Sequence, residues 1–99
     1  MTRNTAYQYA EKKIEEARRL GATELNLSFM GFDELPETLS ELTQLRTLHM
    51  EGNLLDPLPK WLSRLSSLQI LNMSYGQITS LPEWLSDFVE LENLNLFGN

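Results

Sequence analysis

The stretch Leu45-Arg46-Thr47-Leu48-His49-Met50-Glu51-Gly52-Asn53-Leu54-Leu55-Asp56-Pro57-Leu58-Pro59 reads L-x-x-L-x-(L/M)-x-x-N-x-L-x-x-L-P, and the pattern returns at a fixed period. Leu25, Leu48, Leu71 and Leu94 stand 23 residues apart, as do Leu27, Met50, Met73 and Leu96. Leu35, Leu58 and Leu81 keep the spacing, each followed by proline (Pro36, Pro59, Pro82). Leu39, Leu62, Leu85 and Leu42, Leu65, Phe88 complete the register. A unit this short cannot bury its own apolar positions, so successive units must stack and share a core. The chain divides into an N-terminal segment, 1–21, then repeats at 22–44, 45–67 and 68–90 and a partial one at 91–99.

Within each unit, Glu24–Ser28, Thr47–Glu51, Ile70–Ser74 and Asn93–Phe97 alternate apolar and polar residues. Period two is that of a strand buried on one face. Stacked copies form a parallel sheet with Leu25, Leu27 and their equivalents inward and the other parity on an open, concave face. Asn53 and Asn99 follow the strands, placed for their amides to bond turn backbone along the stack. Met30 and Gly76 replace them in the other repeats, and Gly76 leaves a rung missing, with weaker local order expected. Each proline fixes its own φ and holds the preceding leucine extended. The run after it, such as Pro59–Leu68, predicts a short helix or 3₁₀ turns on the convex side, with Leu62 and Leu65 inward.

A period of about 20–29 residues with an L-x-x-L-x-L-x-x-N core resembles the leucine-rich repeat family. The resemblance implies an α/β right-handed solenoid, with short parallel strands on the concave face and short helical or 3₁₀ segments on the convex face. Residues 5–20 predict the helix that precedes it. Thr5 and Gln8 fit a capping box, Ala6, Ala10, Ile14, Ala17 and Leu20 recur at steps of three and four, and Gly21 suits a left-handed C-cap. A first repeat has no upstream neighbour, so this helix is expected to cap it. A membrane-binding or partner-binding helix would carry bulkier apolar residues.

Net charge is −6, unevenly spread. Residues 1–21 hold five basic groups (Arg3, Lys12, Lys13, Arg18, Arg19) against three acidic ones, whereas residues 22–99 hold eleven acids and only Arg46, Lys60 and Arg64. An acidic repeat surface repels phosphate backbones, so nucleic acid is not an expected partner. The weak basic excess of the first segment suits a solvated helix face better than an anionic surface. The chain has no cysteine, no long apolar run and no signal-peptide core, so neither disulfides nor a membrane are expected and the cytoplasm is the expected compartment.

Nothing in the residues predicts catalysis, a cofactor or a metal. His49 is the only histidine, and no phosphate loop or metal-ligand spacing accompanies it. At an outward strand position between Asn26 and Asn72, it is a polar contact without an evident carboxylate or nucleophile to make it a base. Two N-x-S matches, Asn26-Leu27-Ser28 and Asn72-Met73-Ser74, fall inside predicted strands as by-products of the repeat.

A protein partner on the concave face is the expected function. Its candidate residues are Glu24, Asn26, Thr47, His49, Glu51, Ile70, Asn72, Tyr75, Asn95 and Phe97. Ile70, Phe97, Tyr75 and Phe29 set apolar and aromatic groups among amides, a mixture that protein interfaces favour. Phe29 and Tyr75 could instead fold over the loop edge as local packing. Trp61 and Trp84 hold equivalent convex positions and are expected to stack, with a second docking surface as the rival reading. The final strand is followed by no closing segment, so a longer native array, or self-association through that edge, is expected.

Arg18-Arg19-Leu20-Gly21-Ala22-Thr23-Glu24-Leu25, followed by 23-residue repeats with Leu81-Pro82-Glu83-Trp84-Leu85, resembles the N-terminal repeat region of bacterial Roco-type multidomain proteins. That resemblance implies a regulatory repeat region ahead of a Ras-like GTPase domain. A purely structural spacer is the third class of function.

Overall fold

The computed structural model describes residues 5–99. One helix, α1 (Thr5–Leu20), precedes four three-residue strands: β1 (Glu24–Asn26), β2 (Thr47–His49), β3 (Ile70–Asn72) and β4 (Asn93–Asn95). The strands form one parallel sheet in the order β1-β2-β3-β4. Pairing runs Leu25 to Leu48 to Leu71 to Leu94, so the 23-residue sequence register is also the structural register. The strands are shorter than the alternating segments, because the chain turns soon after Asn26, Asn72 and Asn95.

Inward positions of the first three strands are sealed. Leu27 and Leu48 are fully buried, and Leu25, Met50, Leu71 and Met73 nearly so. Opposite the sheet, 3₁₀ turns follow each proline: Glu37–Glu41, Lys60–Arg64 and Glu83–Asp87. The prolines sit at the N-caps with extended backbone, as their ring geometry favours. Leu39, Leu42, Leu62 and Leu65 reach inward from these turns and are fully buried.

The last two repeats depart from this pattern. Leu35 and Leu58 are buried, but Leu81 is 58% exposed, and Leu94 and Leu96 are only half-buried. No further described repeat lies over them. The expected pairing of the two tryptophans is not formed either. Trp84 packs edge-to-face on Phe88 of its own turn, 5.9 Å between ring centres, and both indoles lean on the core. The residue four positions on is the nearer aromatic neighbour.

Helix α1 buries Ala10, Ile14 and Ala17 against β1 and the first 3₁₀ turn. Leu20, expected on the same stripe, is 71% exposed, since the chain has already begun to leave the helix. Gly21 takes φ +61°, and Ala22 N–H donates to Ala17 C=O at 3.0 Å while Gly21 N–H donates to Arg18 C=O at 3.3 Å. This is the Schellman termination, which glycine makes without strain. At the other end Thr5 is already helical, so it is not the cap, and the residue before it lies outside the described residues. On the solvent side Arg18 hydrogen-bonds Glu15 and holds that carboxyl below its ordinary value.

Candidate protein-binding face

The outward parity of the sheet makes two columns, Glu24-Thr47-Ile70-Asn93 and Asn26-His49-Asn72-Asn95, with neighbours in direct register. Adjacent strands lie about 4.8 Å apart, so each column is a row of side chains in contact range. Glu24, Asn26, Ile70, Tyr75, Asn95 and Phe97 are exposed, while Thr47, His49, Glu51 and Asn72 are half-buried. The structure gathers these residues into two groups.

The first group is polar and spans repeats one and two. His49 Nε2 lies 3.0 Å from Glu24 Oε2, and Nδ1 lies 3.7 Å from Glu51 Oε1. The imidazole therefore has two carboxylate neighbours, contrary to the expectation that it has none. Ser28 Oγ donates to Glu51 Oε1 at 3.4 Å and accepts from the Glu51 N–H at 3.2 Å. The Ser28 hydroxyl is thus bonded to a carboxylate. Among the described residues, no cluster of histidine and carboxylates could hold a metal ion.

The second group is apolar and spans repeats three and four. Tyr75 and Phe97 meet edge-to-face with ring centres 5.4 Å apart and planes at 86°. They remain 59% and 68% exposed. Ile70, 39% exposed, stands on the same face. Tyr75 has φ +56°, and so does Phe29 in repeat one. A bulky residue rarely adopts that region, and holding one there costs about 1–3 kcal/mol. The equivalent residues of repeats two and four are Gly52 and Gly98, with φ +69° and +79°. Each ring lies on the glycine of the next repeat: a β-carbon at Gly52 would collide with Phe29 Cδ1, and one at Gly98 would fall 2.9 Å from Tyr75 Cδ1. The rings pack locally, as one of the two sequence expectations held, and still show most of their surface to solvent.

The asparagine column does a task that sequence reasoning missed. Asn26 Oδ1 accepts from Ser28 N–H at 2.9 Å, Asn72 Oδ1 from Ser74 N–H at 3.1 Å, and Asn95 Oδ1 from Phe97 N–H at 3.0 Å. These are Asx turns, which bend the chain out of β1, β3 and β4. Ser74 has the outward parity of its strand, but its hydroxyl turns back to Asn72 Oδ1 at 3.0 Å and the residue is only 3% exposed. The N-x-S spacing was the available signal, since it puts a carboxamide two residues before the turn N–H. On the other side of the solenoid, Trp61 lines a groove of about 340 Å³ with Tyr7, Asp33, Glu37, Pro57 and Pro59.

A stack of short parallel strands in constant register, with 3₁₀ turns opposite, defines a repeat solenoid. Leucine-rich-repeat family models match residues 58–99 and residues 44–65. Together these matches identify residues 44–99 as leucine-rich repeats. None of the curated proteins compared with the chain matches it. Leucine-rich-repeat domains are generally protein-interaction modules and typically non-enzymatic. No helix among the described residues is long and apolar enough to cross a membrane.

Proposed function

We propose that this chain is a cytoplasmic protein-interaction module whose partner docks on the open sheet face, anchored at Tyr75, Phe97 and Ile70. The observation that carries this reading is the exposed aromatic pair, one member of which is held at a costly positive φ. Aromatic anchors in a polar surround dominate protein interfaces energetically. The partner is basic where it meets this face, because the two strand columns and Glu51 present carboxylates and no lysine or arginine. Salt should therefore slow its association. In the same reading α1 caps a right-handed solenoid and shields its first repeat.

The test is capture of the partner from cell extract on the immobilised chain, followed by affinity measurements with variants. Tyr75→Ala and Phe97→Ala are expected to weaken binding at least about tenfold, as truncated anchors do, with His49→Ala and Ile70→Ala weaker still than the parent. Lys60→Ala and Arg64→Ala, away from the sheet face, should bind as the parent does. Loss of the partner only in the Lys60 and Arg64 variants would move the site to the convex surface. If every substitution were silent, the chain would be a structural spacer.

A second reading is the regulatory repeat region of a Roco-like GTPase, favoured by the resemblance of Arg18–Leu25 and Leu81–Leu85. A phosphate-binding loop in the native sequence downstream of Asn99, or its absence, decides it. Self-association through the outer edge of β4 is favoured by the half-buried Leu94 and Leu96, and sedimentation across concentration tests it.

A further inference from the structure

The repeats are joined in two different ways along the edge where the strands end. Between repeats one and two, Asn53 reaches back. Its Oδ1 accepts from Met30 N–H at 3.1 Å and Phe32 N–H at 3.4 Å, and its Nδ2 donates to Leu27 C=O at 2.9 Å. Leu54 N–H closes the same edge by donating to Phe32 C=O at 2.8 Å. Between repeats three and four, Asn99 acts likewise: Oδ1 accepts from Ile78 N–H at 3.0 Å and Nδ2 donates to Met73 C=O at 2.7 Å.

Between repeats two and three the equivalent residue is Gly76, and these bonds are missing. The N–H groups of Asn53 and Leu55, counterparts of those of Met30 and Phe32, have no partner among the described residues, and Gln77 N–H does not reach Leu55 C=O. Asn53 and Leu55 are nonetheless 3% and 6% exposed. Backbone groups so placed almost always find a partner. A half-open pocket of about 10 Å³ lies at this spot, lined by Met50, Leu55, Met73 and Ile78 together with Asn53 and Gly76. That is roughly the space one water needs, and a water also needs two to four polar contacts. Acceptors are at hand: Asn53 C=O and Met73 C=O lie 3.3 and 3.5 Å from the point a β-carbon on residue 76 would occupy.

The geometry points to an ordered water site in this seam, where one water accepts from the Asn53 or Leu55 N–H and donates to a backbone carbonyl. The water does for repeats two and three what an asparagine amide does for the pairs on either side. This site is independent of where a protein partner binds.

Water–amide cross-relaxation by NMR on the 99-residue chain tests it. The Asn53 or Leu55 amide should show a long-lived water, and the Met30 and Phe32 amides, bonded to Asn53 Oδ1, should not. No such water at either seam amide, or an equal one at Met30 and Phe32, overturns the inference. Gly76→Asn should abolish the signal and raise the melting temperature by a few degrees. Gly76 is not at positive φ, and the new β-carbon comes within 2.8 Å of Asn99 Oδ1, the end of a side chain that must turn slightly while keeping its bond to Ile78 N–H. Gly76→Ala, which adds bulk without the amide, should lower the melting temperature. A water signal that persists in folded Gly76→Asn, or equal destabilisation by both substitutions, also overturns it. If neither variant folds, the parent comparison alone decides.

Discussion

Leu71→Ala should lower stability by about 2–5 kcal/mol, the usual range for a leucine truncated in a core that cannot collapse around the gap. Leu71 is 1% exposed and sits in the strand between Leu48 and Leu94, so its removal opens a hole shared by three repeats. In a domain this size, each kcal/mol corresponds to roughly 4–8 °C in melting temperature. Thermal unfolding followed by circular dichroism should therefore show a fall of more than about ten degrees. The two neighbours on the chain provide the contrast. Ile70→Ala, on the open face, should cost well under half as much. Asn72→Ala should cost about 1 kcal/mol, because the Ser74 N–H and hydroxyl both lose their acceptor. Equal losses at residues 70 and 71 would contradict the strand orientation.

Ile14→Asp is the second large effect, expected to cost several kcal/mol. Ile14 is 2% exposed, pressed with Ala10 and Ala17 onto the first repeat. Its crevice is also lined by Glu11, Glu15 and Glu41, so a new carboxylate meets like charges, with Arg18 already bonded to Glu15. Burial and those neighbours would raise the new group's pKa in the folded state above its unfolded value. The protonated form is then favoured by folding, so the deficit shrinks as pH falls and is fully present at neutral pH. Ile14→Val, losing one methylene, should cost only about 0.5–1.5 kcal/mol. Amide exchange at β1 would report whether the first repeat opens along with the helix. Melting within a degree or two of the parent would show that α1 is dispensable to the repeats.

Much of the architecture was legible because leucine-rich repeats write their register directly into the chain. A 23-residue spacing of Leu48 and its equivalents is the same fact as the pairing of β1 to β4. The prolines marked the start of each 3₁₀ turn, and Gly21 marked the end of α1. Side-chain partners were less legible, because they depend on rotamers and diagonal distances that a period does not encode. His49 reaches Glu24, a residue 25 positions away and diagonal in the sheet, where column order alone showed only amides beside it. Trp84 chose Phe88 over Trp61 for the same kind of reason. Leu20 was misplaced because apolar character and period do not say whether anything lies on top.

Phe29 and Tyr75 stand 46 positions apart, as do Gly52 and Gly98, and as do Asn53 and Asn99. Ring, glycine and amide thus alternate, and each ring needs a glycine in the following repeat on which to lie. The natural cassette for lengthening this protein is therefore two repeats long. Splicing in another copy of residues 22–67 would keep every ring over a glycine and every reaching amide opposite a turn. A single copy of 22–44 placed after itself would set Phe29 against a second phenylalanine, where the ring has no bed.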